Sequence, residues 1–336
     1  MSDPVLVEVL RGMLVESRHC GAVAVIDADS NAVFALGDVT VPVFPRSAVK
    51  ALQALVLIET GAADKFGLGD EELALACSSH SGEPGHVVRV QGMLAKAGLD
   101  VSALACGTHW PASEAATTAL ARTGEPSALH NNCSGKHAGF LCNACALGID
   151  HVGYWKPEHP VQRQVRDTLA DVTGAMLSDE RRAIDGCSVP TWAIPLQQLA
   201  HGFAKFATGH KLSPERARGA VRLRNACAQK PWYVGGTGRF CTDIMQIFGS
   251  RVFVKTGAEG VYCGALPEQG FGIAIKCDDG AGRAAQVVVA ALIARFLPLS
   301  DTERTALVRF LRPTLRNWNG FEVGALRPTD AIGTVV

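Results

Sequence analysis

The sequence predicts an α+β fold: an antiparallel sheet built from both chain ends, flanked by helices, with a helical insert between them. Three observations carry this reading. β-Branched and aromatic runs cluster near the two ends, at 23–36 and 251–276. The connections within each cluster are short and rich in turn residues, which favours antiparallel neighbours. Between about 60 and 250, apolar residues recur instead at helical spacing. We expect a single domain over 1–336, its sheet drawn from about 1–45 and 250–300 and its helical subregion from about 60–250.

In chain order, Val23-Ala24-Val25-Ile26-Asp27 and Val33-Phe34-Ala35-Leu36 read as two strands around the turn Ala28-Asp29-Ser30-Asn31, so the chain is expected to open with a hairpin. An apolar helix follows, entered at Pro45 and Ser47 and ended by Gly61. Helices are then predicted over 87–97, 114–122, 136–147, 161–172, 196–207 and 214–227. Three short strands at 251–256, 261–265 and 271–276 precede an apolar helix over 284–296. The stretch Gly235-Gly236-Thr237-Gly238-Arg239 is glycine-rich, but no strand and phosphate-binding helix bracket it, so it reads as a flexible loop.

Composition narrows the function classes. The 32 basic residues balance 32 acidic ones, which leaves no electrostatic footprint for nucleic acid or an anionic membrane surface. No apolar run reaches membrane-spanning length, and the first residues lack the pattern of a secretory signal. Eleven scattered cysteines do not form a disulfide framework, so a reducing cytoplasm is the expected location, with most thiols acting as small core hydrophobes. Cys142 and Cys145 fall in an apolar helix and read as packing.

The chemistry starts at Pro45-Arg46-Ser47-Ala48-Val49-Lys50. Residues three apart on a helix are neighbours, so the Lys50 amine can reach back towards the Ser47 hydroxyl. Burial and the positive end of the helix both favour a neutral amine over an ammonium, which suits a general base for a serine nucleophile. A lysine at the head of a buried helix also needs a task or a partner.

Other clusters add candidates. In Ser78-Ser79-His80-Ser81-Gly82-Glu83-Pro84 the serines either cap the helix that follows or supply Ser79 as a second catalytic hydroxyl, with His80 and Glu83 as polar lining. In Asn131-Asn132-Cys133-Ser134-Gly135-Lys136-His137, the amides of Asn131 and Asn132 can recognise an amide or a carboxylate. Cys133 and Cys187, the latter in Asp185-Gly186-Cys187, sit in polar loops and suit chemistry better than packing. Lys255-Thr256-Gly257 ends a strand, and with Ser-x-x-Lys it is the arrangement of penicillin-recognising serine enzymes. Lys255 would add positive charge there, nearby backbone N–H groups an oxyanion site, and Thr256 and Gly257 contacts for substrate.

Together, these five blocks in order resemble the rhizobial-type L-asparaginases along nearly the whole chain, a family distinct from the threonine-nucleophile and the self-cleaving plant-type enzymes. The resemblance implies a fold like that of serine β-lactamases and glutaminases, a homodimer, and hydrolysis of L-asparagine to L-aspartate and ammonia. It makes Ser47 the nucleophile and Lys50 its base, with Ser79 and Lys255 in the catalytic constellation. It further implies a zinc site made by Cys133, Lys136 and Cys187. Arg46, Asp185 and Asn132 are then candidates for the substrate's α-amino and α-carboxylate groups. A glutaminase or penicillin-recognising serine amidase or peptidase shares the serine–lysine pieces, and a non-catalytic thiolate metal-binding protein would also explain the cysteines. One methylene separates asparagine from glutamine, worth about 1–3 kcal/mol, so the sequence does not choose between them.

Overall fold

The computed structural model describes residues 3–333. Among these described residues the strands, numbered in chain order, are β1 Val5–Arg11, β2 Leu14–Asp27, β3 Ala32–Leu36, β4 Pro42–Val43, β5 Arg182–Ile184, β6 Pro190–Trp192, β7 Ile194–Pro195, β8 Phe253–Thr256, β9 Val261–Leu266, β10 Phe271–Cys277, β11 Thr314–Arg316 and β12 Glu322–Pro328. The architecture is mixed, with a curled antiparallel sheet and many helices, as an α+β fold requires. The backbone divides into two compact units, one of 1–48, 194–207 and 254–336, the other of 49–193 and 208–253.

The first unit holds the sheet, ordered β11-β12-β1-β2-β10-β9-β8, with β3 also paired to β2. The long strand β2 organises it. Its first half pairs with β1, from Arg11 opposite Leu14 to Val5 opposite Cys20, while its second half pairs with β10, where Val23 faces Ile275 and Val25 faces Ile273. The predicted hairpin is present as β2 and β3, and Asp27 closes its turn by accepting the backbone N–H groups of Asp29 and Asn31. Strand β9 and most of β10 are buried along their length, so both faces of the sheet are covered, in part by the apolar helix Gly282–Phe296.

The chain does not open with that hairpin, however. Strand β1 precedes it and pairs with β12 from the far C-terminal end, where Val7 faces Pro328 and Val9 faces Leu326. The sheet therefore draws on strands beyond residue 300, which the sequence reading omits.

The second unit is mostly helical. Its helices include Asp70–Ala76, Pro84–Lys96, Glu114–Ala121, Ser134–Leu147, Pro160–Thr173, Pro214–Gln229 and Phe240–Phe248. The helix Ser134–Leu147 is buried on every side from Ser134 to Ala144, so the polar groups at its start are carried into the interior. The expected helix at Ser47 takes a different form: a 3₁₀ turn, Arg46–Val49, precedes a single α-turn, Lys50–Gln53, and a second short helix, Leu55–Glu59. At its entrance Arg46 has a φ of +51°, an uncommon left-handed state for a residue with a side chain. Among the described residues, no helix is long and apolar enough to cross a membrane.

Candidate active site

In the helical unit, Lys50 is the central feature. Only 1 % exposed, its Nζ lies 2.6 Å from the carbonyl oxygen of Ser78, 3.4 Å from that of Asn132 and 3.0 Å from Ser79 Oγ. Within the helical unit its hydrogen bonds run to the loop bearing Ser78 and Ser79. Carbonyl oxygens can only accept. If the amine is neutral, its two N–H groups satisfy the two carbonyls, and the remaining lone pair is left for the hydroxyl proton of Ser79. That is an arrangement able to draw a proton from a serine.

Ser79 is itself buried, and its N–H donates to Val234 O at 3.0 Å. Beside it, fully buried His80 accepts the Gly82 N–H on Nδ1 at 3.1 Å, which places the ring proton on Nε2, 2.9 Å from Ser134 Oγ. Ser134 passes the bond on to Leu129 O at 2.9 Å. Burial drives His80 well below the ordinary imidazole range, and any charge on neighbouring His86, Lys50, His109 or His130 works in the same direction. His80 is thus a neutral strut between the Ser79 loop and the head of the helix Ser134–Leu147.

The same unit gathers Cys133, Lys136 and Cys187. Lys136, 3 % exposed, donates to Cys187 Sγ at 3.0 Å, and Asp185 Oδ2 lies 4.0 Å from that sulfur. The Cys187 thiol shifts up because it donates to Cys133 and is buried. Cys133 shifts well below the usual thiol range because it accepts that bond, against burial, with the nearby Lys136 ammonium acting in the same direction. Burial alone would lower Lys136, but the sulfurs of Cys187 and Cys133 and the Asp185 carboxylate outweigh it and raise it. The two thiols thus shift in opposite directions beside a buried lysine. Among the described residues no group of three or more His, Cys, Asp or Glu is placed to hold a metal, so a metal here would have to use the lysine nitrogen. Two sulfurs and a nitrogen are a donor set that suits zinc, provided Lys136 gives up its proton.

Asn132 spans the two clusters. Its Oδ1 lies 3.1 Å from Cys133 Sγ, and its backbone N–H and Nδ2 meet His109 Nε2 at 2.9 and 3.1 Å. Asn131 is occupied structurally, its amide donating to the carbonyls of Cys106 and Gly107. Asp185 turns back to accept the Gly186 N–H at 2.7 Å. Glu83 accepts the backbone N–H and the hydroxyl of Thr237, both at 2.8 Å.

In the sheet unit, Ser47 is partly buried and follows Arg46, whose left-handed backbone is an uncommon state for a non-glycine residue. Lys255 is fully buried and donates to Thr256 O at 3.0 Å. Thr256 Oγ1 contacts Gly257 O at 3.4 Å, while the Gly257 N–H is committed to Val261 O at 2.8 Å, inside the β8–β9 hairpin.

Sequence reasoning missed His109, Tyr154 and Thr237. Tyr154 accepts the Ala105 N–H at 3.0 Å and lies 2.6 Å from His137 Nδ1, fixing the residue that follows Lys136. None of the three belongs to a motif with a recognisable spacing.

A search of curated proteins returned no match. A model of the L-asparaginase II family, by contrast, matches residues 7–328, spanning both the sheet strands and the helical segments and so including buried Lys50, Lys136 and Lys255. The chain belongs to the L-asparaginase II family and is an amidohydrolase of the asparaginase kind.

Proposed function

We propose that this protein releases ammonia from L-asparagine through an acyl-enzyme formed on serine, with Lys50 as the base. One observation carries the reading: the Lys50 amine, buried and bonded to two carbonyls, has its third hydrogen-bonding direction on Ser79 Oγ at 3.0 Å. With Lys50 neutral, the proton passes from the serine to Nζ, the alkoxide attacks the side-chain carboxamide, and the new ammonium returns the proton to the departing ammonia. Water then releases aspartate by the same route, with Lys50 as base again.

Ser47 is the second candidate for the attacking hydroxyl, favoured by its place three residues before Lys50 and by the strained backbone of Arg46 beside it. Lys255 and Thr256, with Arg46, Asn132 and Asp185, are proposed to serve substrate charge and orientation. The glutaminase- and β-lactamase-like version of the fold is likewise a proposal, consistent with a sheet assembled from both chain ends.

We further propose that Cys133, Lys136 and Cys187 hold zinc, which would order the pocket and supply local positive charge. The thiol pair with a depressed Cys133 supports this, and the raised Lys136 is the feature zinc would have to overcome. Eleven free cysteines favour a reducing compartment, in keeping with a cytoplasmic enzyme. We propose a homodimer as the working form.

The test is ammonia release from asparagine and glutamine by wild-type protein and by Ser47→Ala, Ser79→Ala and Lys50→Met, with and without zinc. Loss in Lys50→Met and in at least one serine variant is expected, with an aspartyl mass increase on the attacking serine when deacylation is slowed. Wild-type turnover in Lys50→Met overturns the mechanism. Metal content of Cys187→Ala tests zinc separately, since retained stoichiometric zinc would remove this residue from the ligand set.

A further inference from the structure

The glycine-rich stretch Gly235-Gly236-Thr237-Gly238, a flexible loop on the sequence reading, is fastened to the loop that carries Ser79. Ser79 N–H donates to Val234 O at 3.0 Å and Ser81 Oγ to Gly235 O at 2.9 Å. Two residues on, the Thr237 N–H reaches Glu83 Oε1 and the Thr237 hydroxyl reaches Glu83 Oε2, each at 2.8 Å. Trp232 Nε1 donates to the same threonine oxygen at 3.0 Å. Between these bonds Gly236 has φ +111°, and a Cβ there would fall 2.5 Å from Ser81 Oγ and 2.6 Å from Glu83 Oε1. Any side chain at this position would be strained by that φ and would have to displace Ser81 and the Glu83 carboxylate.

We infer that Glu83 is a positioning residue for Ser79, acting as a latch that holds the Val234–Gly238 segment against the 78–83 loop, and not a contact for substrate. Both its carboxylate oxygens already accept bonds from Thr237. Its own N–H meets His86 Nδ1 at 3.2 Å at the start of the helix Pro84–Lys96, so the latch is anchored at both ends. What it fixes is the strip of backbone whose Val234 carbonyl takes the Ser79 N–H. A hydroxyl that must meet both a base and a carbonyl carbon tolerates little displacement: misplacement by about 1 Å can cost about 10²-fold in rate. The inference rests on Ser79 taking part in the chemistry.

The experiment measures kcat and KM for asparagine in Glu83→Ala, Glu83→Gln, Thr237→Val and Ser79→Ala, and in the double variant Glu83→Ala with Ser79→Ala. For Glu83→Ala we expect kcat to fall by up to about 10²-fold with KM nearly unchanged, the signature of lost alignment. Glu83→Gln keeps an oxygen for the Thr237 N–H and should recover most of that loss. Thr237→Val keeps the backbone bond and removes only the hydroxyl one, so it should show a smaller loss of the same kind. In the Ser79→Ala background, Glu83→Ala should cost nothing further, because the latch acts through that serine. A rise in KM at unchanged kcat would make Glu83 a substrate contact and overturn the inference, as would full additivity in the double variant. Wild-type turnover by Ser79→Ala alone would instead bring down the catalytic reading of Ser79, a result separable from any failure at Glu83.

Discussion

His80 is a histidine that the fold keeps from taking a proton. It is fully buried and stacked on His86, and burial lowers its affinity for a proton well below that of a free imidazole. The unfolded chain titrates this group near pH 6.5. Below that pH the unfolded state binds a proton that the folded state refuses, so the His80 contribution is intact above about pH 6.5 and is lost as pH falls towards the folded value. The loss approaches about 1.4 kcal/mol per pH unit per proton. Glutamine in this place does not titrate and keeps a donor for Ser134. Urea unfolding of wild type and His80→Gln between about pH 7 and 5 should therefore give a shallower pH slope for the variant; parallel slopes would mean that His80 is protonated in the native state. The sequence marks His80 as polar lining, but its role as a strut depends on Ser134, 54 residues away. The same limit applies to Lys50: its partner Ser79 is 29 residues distant, beyond what a local helical spacing can show. Residue types and motif blocks were legible; which buried donor meets which acceptor was not, because that is set by loops folding back on one another.

The elements show a comparable division. Helices such as Pro160–Thr173 and Pro214–Gln229 could be read to within a few residues because their apolar faces repeat and proline stands at their first turn. Strand β11 has only three residues, and β12 contains a glycine and ends in proline, so neither leaves a periodic trace even though β12 pairs with β1 over five positions. Close approach between elements is equally silent in one sequence. At Gly272 of β10 an added Cβ would fall 1.9 Å from Ala200 O and 2.3 Å from Ala204 N, on the helix Leu196–Thr208. Both are backbone atoms that no rotamer change can move, so Gly272→Ala has to push the helix off the strand. Overpacking typically costs about 1–3 kcal/mol, and the top of that range is expected here. A thermal midpoint within a degree of wild type would show that helix and strand are not in this contact.

At the scale of the whole molecule, the proposed homodimer needs a surface, and the sheet unit offers one. Met13 and Leu14 at the β1–β2 turn are 95 % and 77 % exposed, and Trp318 and Phe321 at the β11–β12 turn are 106 % and 65 % exposed. The turns are neighbours, since the Gly12 N–H donates to Val323 O at 2.9 Å. Nor is the second turn floppy: Asn317 Oδ1 accepts the N–H groups of Asn319 and Phe321, which holds the aromatic pair out into solvent in a fixed arrangement. Four large apolar side chains held together in water favour burial against an equivalent patch, and a two-fold axis lets one surface serve both partners. Aromatic anchors at the centre of an interface commonly carry about 2 kcal/mol or more each, roughly thirtyfold in Kd. Trp318→Arg combined with Phe321→Glu should therefore shift sedimentation at micromolar concentration from dimer to monomer, with the circular dichroism spectrum unchanged. If the double variant sediments as a dimer like the wild type, the two-fold contact is elsewhere; a monomeric wild type would remove the homodimer proposal itself.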